Sequence, residues 1–266
     1  MAEARLQKLL AAAGLCSRRG AEEMIRRGLV SVNGEVVADQ GRLVDPDTAR
    51  ITVAGRPLAK SEPQRYYMFH KPENYLTSMG DPFGRPTIRP FLERLDVRVY
   101  PVGRLDNDVS GVLILTNDGE LGKRLMHPSY MVPKTYRARV KGEPSERELD
   151  MIRSGKLVVG DKPCAPARAR MLDSGPDAGW LELTLTEGRH RQVKKMCAAV
   201  GHRVVKLKRI AYCGLRLPGT LKAGDIVELD DAQVRHLKVK VGLLPPGDSE
   251  SKKTPASKNV RGTKTN

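Results

Sequence analysis

The sequence predicts an α+β fold in two units, a small αβ unit followed by a larger one. Three observations predict it. Strand-like and helix-like segments follow one another without a regular strand–helix repeat, which argues against a doubly wound sheet. Asn33-Gly34, the strongest short hairpin signal, lies between two apolar runs near the start. A polar, Pro-containing stretch at 59–64 then reads as a linker. The expected organisation is a first unit at 1–60, a linker at 61–65, a second unit at 66–244 and a disordered basic tail at 245–266.

In the first unit Leu6, Leu9, Leu10 and Ala13 follow helical spacing, and Gly14 stops that helix. Ser17 has the chemistry of an N-cap for a second helix, Arg18 to Arg27, burying Ala21, Met24 and Ile25 and ending at Gly28. Leu29–Val32 and Glu35–Ala38 read as the hairpin strands, and Ile51–Val53 before Ala54-Gly55 as a further strand. Arg18 and Arg19 fall in the first turn of the second helix, where the macrodipole is already positive. Two guanidiniums with free helix N–H groups make a phosphate site; two solvated arginines are the plain alternative.

In the second unit strands are expected at Tyr66–Phe69, Val112–Thr116, Tyr136–Val140, Trp180–Leu185 and Ile226–Leu229. Helices are expected at Glu120–Met126, Ser145–Ser154 and Arg191–Val200. From Pro245 onward the chain is Pro, Gly, Ser, Lys and Thr with almost no apolar residues, a composition that cannot support a core.

Lys and Arg outnumber Asp and Glu by 47 to 31, a formal net charge of +16, which points to a polyanionic partner and first to nucleic acid. The four cysteines, Cys16, Cys164, Cys197 and Cys213, form no C-x-x-C pair, which disfavours zinc and a disulfide scaffold. No apolar run is long enough for a membrane helix, and the start has no signal-peptide core, so a cytoplasmic protein without membrane contact is expected.

The chemistry concentrates at Gly103-Arg-Leu-Asp-Asn-Asp108, which precedes an apolar strand that Asn117-Asp-Gly119 turns into a helix. A polar loop ending on a buried strand is a rigid place for a catalytic carboxylate. Asp106-x-Asp108-x-Ser110-Gly111 also matches the first half of an EF-hand loop, but Asn117 stands where a bidentate Glu is required, and the flanks read as loop and strand. Two acids could instead hold Mg²⁺ in a nuclease. Local chemistry leaves the loop open among a turn, a metal pair and a nucleophile.

Gly103-Arg-Leu-Asp106 followed by Ser110-Gly-Val-Leu-Ile-Leu-Thr-Asn-Asp-Gly119 resembles the central motif of pseudouridine synthases. Lys71-Pro72 resembles the family's first motif, with His70 where Asn is more usual. Lys134-Thr-Tyr136 resembles the tyrosine segment and Glu187-Gly-Arg-His-Arg-Gln-Val-Lys-Lys-Met196 the third motif. Arg5-Leu-Gln-Lys-Leu-Leu10, Gly14-Leu-Cys-Ser-Arg-Arg19 and Val30-Ser-Val-Asn-Gly34 resemble an S4 RNA-binding domain. Together, over residues 5–240, the chain is similar to the RsuA/RluB branch, which modifies ribosomal RNA.

That resemblance implies an S4-type αβ RNA-binding domain, then an α+β catalytic domain with a mixed, mostly antiparallel sheet. It implies an isomerase that detaches uracil, rotates it and rejoins it through carbon, with no cofactor and no metal. Asp106 is then the nucleophile, Tyr136 the ring that stacks on the base and helps remove the C5 proton, and Lys194 the cation holding the Asp106 pKa down. Arg104 enters the space of the flipped base; Arg18, Arg19, Arg189, Arg191 and Lys195 contact RNA. Tyr67 and Tyr100 carry no motif support and are expected in the core. The partner implied is ribosomal RNA or a pre-ribosomal particle, met by a monomer. Leu6-Gln-Lys-Leu9 and Leu125-Met-His-Pro128 lean towards 23S rather than 16S RNA, while Gln192-Val-Lys-Lys-Met196 leans the other way.

Overall fold

The computed structural model describes residues 3–59, 62–173, 175 and 178–246. The chain divides into two compact units, Met1–Gln64 and Arg65–Asn266. The expected basic tail lies outside the described residues apart from Pro245 and Pro246.

In the first unit a helix at Leu6–Ala12 is ended by Gly14 at φ +77°, and the Ser17 hydroxyl accepts the Gly20 N–H at 2.9 Å to start the Arg18–Arg26 helix. Leu6, Leu10, Ala21 and Ile25 are fully buried against Val30, Val32 and Ile51. The hairpin strands are shorter than expected, Val30–Val32 and Glu35–Val36. Asn33 and Gly34 both have positive φ (52° and 92°), the two-residue turn that Asn-Gly favours. The strand Ile51–Val53 pairs antiparallel with Val30–Val32.

The second unit is built on one mixed sheet. Its strands, in spatial order, are Arg168–Asp173, Ala178–Leu185, Lys134–Lys141, Val204–Tyr212, Val109–Thr116, Tyr66–Lys71 and Ile226–Glu228. Every pairing along it is antiparallel except Val204–Tyr212 with Val109–Thr116. All eight residues of Val109–Thr116 are buried, as befits a central strand covered on both faces. Gly111 makes the parallel join possible. It has φ +116°, and a Cβ there would lie 2.1 Å from the Arg209 carbonyl oxygen.

Helices at Gly119–Met126, Glu146–Arg153 and Gln192–Ala199 fall where the sequence places them, each one or two residues shorter or longer. Asp118 caps the first through the N–H groups of Glu120 and Leu121, and Ser145 with Glu148 forms a capping box on the second. The Val204–Tyr212 and Arg168–Asp173 strands and an Asp231–Lys240 helix go beyond the expected elements. Tyr67 is in the core as expected. Tyr100 is not: it is 39% exposed and its hydroxyl donates to the Asn117 carbonyl at 2.9 Å, because it sits on a short edge strand.

Among the described residues no helix is long and apolar enough to cross a membrane. The four cysteines are free thiols.

Candidate active site

Two clamps bracket Asp106. On one side the Thr77 hydroxyl donates to the Leu105 carbonyl at 2.8 Å and accepts the Leu105 N–H at 3.1 Å. On the other, the Asn107 carbonyl accepts the Asn74 N–H at 2.7 Å and Lys71 Nζ at 3.3 Å. Lys71 is fully buried and also donates to the carbonyls of Pro72 (2.8 Å) and Val109 (2.9 Å). Burial lowers its pKa to about 8, against the pull of Asp108, Glu73 and Asp106. The backbone of this loop is therefore fixed from three directions, while the Asp106 side chain stays half-buried in a cleft of about 740 Å³. A carboxylate on rigid backbone in a concave site is the arrangement a nucleophile needs.

The cleft wall opposite the loop is the pair of strands Lys134–Lys141 and Val204–Tyr212. Register puts Tyr136 opposite Arg209, and Lys134 opposite Tyr212, with a bulge between Thr135 and Tyr136. All four side chains line the cleft. Arg209 is 2% exposed, and its Nε donates to the Val112 carbonyl at 2.7 Å. Burial and the neighbouring Arg209 lower Lys134 to about 8. Arg104, expected to enter the vacated stack, is exposed at the cleft edge and forms no salt bridge among the described residues.

The third motif supplies the remaining wall. Arg191, at φ +53°, caps the Gln192–Ala199 helix and is exposed, as is Lys195. Arg189 is committed to the protein instead, donating to Glu187 (3.2 Å) and to the carbonyls of Lys162 (2.8 Å) and Pro163 (2.5 Å). Glu187 also accepts from Gln192 Nε2 and the Ala165 N–H, so this segment is a closed hydrogen-bonded network.

Lys194 is the residue expected to hold the Asp106 pKa down. Lys194 Nζ donates to Asp108, and Lys194 does not line the cleft. The reason lies in the turn at Asn107-Asp108, which points the Asp108 carboxylate out towards the Gln192–Ala199 helix. This engagement of Asp108 also weighs against a metal pair made with Asp106. In the first unit Arg18 and Arg19 are exposed, without a side-chain partner among the described residues. Sequence reading missed Arg209, Thr77 and the burial of Lys71. A Lys-Pro pair directly after an apolar strand was the available signal for Lys71.

Residues 65–199 match the family model described as RNA pseudouridylate synthase, and residues 4–49 match the S4 domain. The chain belongs to the RNA pseudouridylate synthase family. It is 43% identical over 236 residues to the ribosomal large subunit pseudouridine synthase B of Bacillus subtilis, covering 88% of this chain and 95% of that protein. The protein of the same name from Salmonella typhi is 38% identical over 92% of this chain and 86% of its own length. A crystal structure of a pseudouridylate synthase superposes with TM-score 0.63 at 30% identity, covering 88% of this chain and 99% of that one. The chain is thus an RNA pseudouridine synthase, an isomerase with an appended S4 RNA-binding domain.

Proposed function

We propose that this synthase isomerises one uridine of large-subunit (23S) ribosomal RNA, with Asp106 as nucleophile and the target base flipped into the cleft. The observation that carries this reading is Asp106 itself, clamped on both backbone sides and presented to a cleft that Tyr136 and Arg104 also line. The large-subunit substrate is supported by the likeness to the two large-subunit synthases over nearly their whole length.

The Asp106 carboxylate attacks C1′, or the uracil ring, without prior activation. The C1′–N1 bond breaks with its electron pair on the ring, the ring rotates on the Tyr136 face, C5 bonds to C1′ as the carboxylate leaves, and the C5 proton is lost to water with the help of Tyr136 while N1 gains one. Atoms and electrons balance with no cofactor. Arg104 fills the gap in the stack, for which its planar guanidinium is suited. Lys194 acts as a positioning residue through Asp108. The S4 unit with Arg18 and Arg19, and on the catalytic unit Arg191 and Lys195, meet phosphates. Arg189 serves the third motif's own structure. The domain roles follow the expected boundaries, with 1–60 for RNA grip and 66–244 for catalysis. In this reading the protein acts as a monomer. The setting is the cytoplasm, where ribosomal RNA matures.

The test is carbodiimide-based pseudouridine mapping of ribosomal RNA from cells that lack the gene, complemented with the wild type or Asp106→Asn. One 23S position should lose its signal and regain it only with the wild type. Restoration by Asp106→Asn would sink the nucleophile assignment, and a lost 16S position would sink the substrate.

A further inference from the structure

The cleft floor holds two long cations without a carboxylate partner among the described residues. Arg209 Nη2 is buried and has no hydrogen-bond partner among the described residues. Among the described residues Lys134 Nζ donates only to the Val132 carbonyl, at 2.8 Å. Both cations lie over the same ring: the Tyr212 centroid is 4.9 Å from Arg209 Cζ and 5.8 Å from Lys134 Nζ. The Tyr212 hydroxyl is turned away, donating to the Leu125 carbonyl at 2.9 Å. Glu187, a carboxylate that lines the same cleft, is taken by Arg189. A buried guanidinium nitrogen left unpaired beside a second cation costs stability, and such an arrangement marks a functional site.

Its position suggests what it serves. Arg209 stands directly opposite Tyr136, and Asp106 lines the same cleft. We propose that Arg209, supported by Lys134, binds a carbonyl oxygen of the target uracil and carries the negative charge the ring holds while it is detached. The inference rests on the reading that the flipped uridine occupies this cleft.

The charge arises as follows. The C1′–N1 bond breaks and its electron pair stays on the ring, spread over N1, O2 and O4, while the Asp106 carboxylate bonds to C1′. After rotation a ring pair forms C5–C1′ and the carboxylate leaves with its own pair. The C5 proton is then lost and N1 is protonated, so the sum is an isomerisation. Between the two bond changes the ring is an anion, and a preorganised cation at its oxygen stabilises that state over the neutral uridine.

The experiment compares the full-length wild type with Arg209→Lys, Arg209→Gln and Lys134→Gln on an RNA fragment bearing uridine or 5-fluorouridine at the target. Fluorine at C5 withdraws electrons and stabilises the detached ring anion. It blocks only the final proton loss, so transfer of the base from N1 to C5 linkage is still read. On uridine, Arg209→Gln should lower kcat by about 10²–10³-fold with little change in KM, the effect of losing one such donor. Lys134→Gln should give a smaller loss of the same kind. On 5-fluorouridine both deficits should shrink by about tenfold or more, because a more stable anion needs the cation less.

Equal losses on the two substrates, or losses confined to KM as for a phosphate contact, would overturn the inference. Lys134→Gln disturbs one hydrogen bond and keeps the test open if the Arg209 variants unfold. If Asp106→Asn stays active, the cleft reading itself has failed. If Asp106→Asn is dead and fluorine rescues nothing, only the charge-stabilising role has failed.

Discussion

Lys194 Nζ closes on the carboxylate of Asp108, two residues beyond Asp106, with the lysine side chain 14% exposed and the aspartate 58%. Burial alone would raise the Asp108 pKa, but the hydrogen bond and charge of Lys194 outweigh it, and the pKa falls below the ordinary 3.8. The pair therefore ties the Gln192–Ala199 helix to the far end of the Asp106 loop. Its stabilisation is present above the ordinary aspartate pKa and is lost as pH falls through the depressed value. With Asp108 so exposed, that contribution to folding is small.

The first prediction follows from this tether. Lys194→Met and Asp108→Asn should each reduce kcat about 10–100-fold by loosening the loop, with little loss of thermal stability. The double variant should be no worse than the poorer single one, because the two side chains act as one unit. Additive losses in single-turnover kinetics would show that Lys194 acts on Asp106 or the RNA directly.

Lys71 gives a prediction about stability. Lys71→Met leaves three backbone carbonyls without their shared donor and should destabilise by about 2–4 kcal/mol, given ~1–3 for each orphaned group and partial compensation by the Asn74 N–H. The pH dependence has a definite sign. The folded pKa of about 8 lies below the ordinary 10.5, so between those values the unfolded chain binds more protons and stability rises with pH. Chemical denaturation across that window should show a gain in the wild type that is reduced in Lys71→Met.

Gly111 sits where two strands run parallel, and the side chain of any other residue would enter the Arg209 backbone. Gly111→Ala should cost about 2–5 kcal/mol, from ~1–2 for a left-handed alanine and ~1–3 for overpacking. A thermal unfolding midpoint unchanged from wild type would refute the close approach.

Why parts of the site were legible and others were not follows from chemistry at particular residues. Asp106, Tyr136 and Arg104 were legible through the resemblance of their segments to the family's motifs, and all three line one cleft. Ser17, Asn33-Gly34 and Asp118 were legible because caps and turns use local bonds. The Val204–Tyr212 strand was hidden by its own composition: Lys206, Lys208 and Arg209 make a central strand read as an exposed basic segment. Only burial opposite Tyr136 reveals Arg209 as part of the wall. The Asp231–Lys240 helix buries only Leu237 and so lacks an apolar stripe, although its Asp230–Gln233 capping box was there to read. The partner of Lys194 was not legible, because one acid of two in a turn is chosen by side-chain direction.

Arg18 and Arg19 test the S4 unit. They are exposed at the start of a helix and have no protein partner among the described residues. Replacing both with Ala should weaken RNA binding and reduce the slope of log K against log salt by about 1–2, with kcat at saturating RNA unchanged. An unchanged slope would mean two solvated arginines.

Lys134 makes the last prediction, on the pH dependence of catalysis. The groups that act on it are Arg209, Cys213 and Glu187. The Cys213 thiol is pushed up to about 11 by burial and remains neutral, and Glu187 is held in its network with Arg189. Lys134 is then the member of this group that titrates near pH 8, and its cation is present below that value and lost above it. The kcat should fall as pH rises through about 8. Lys71 also titrates there but bonds backbone carbonyls behind the loop, so the two are separated by mutation. Lys134→Gln should start lower and lose the alkaline fall, whereas Lys71→Met should keep it. Retention of the fall in Lys134→Gln, measured by single-turnover rates, would move the titration to another group.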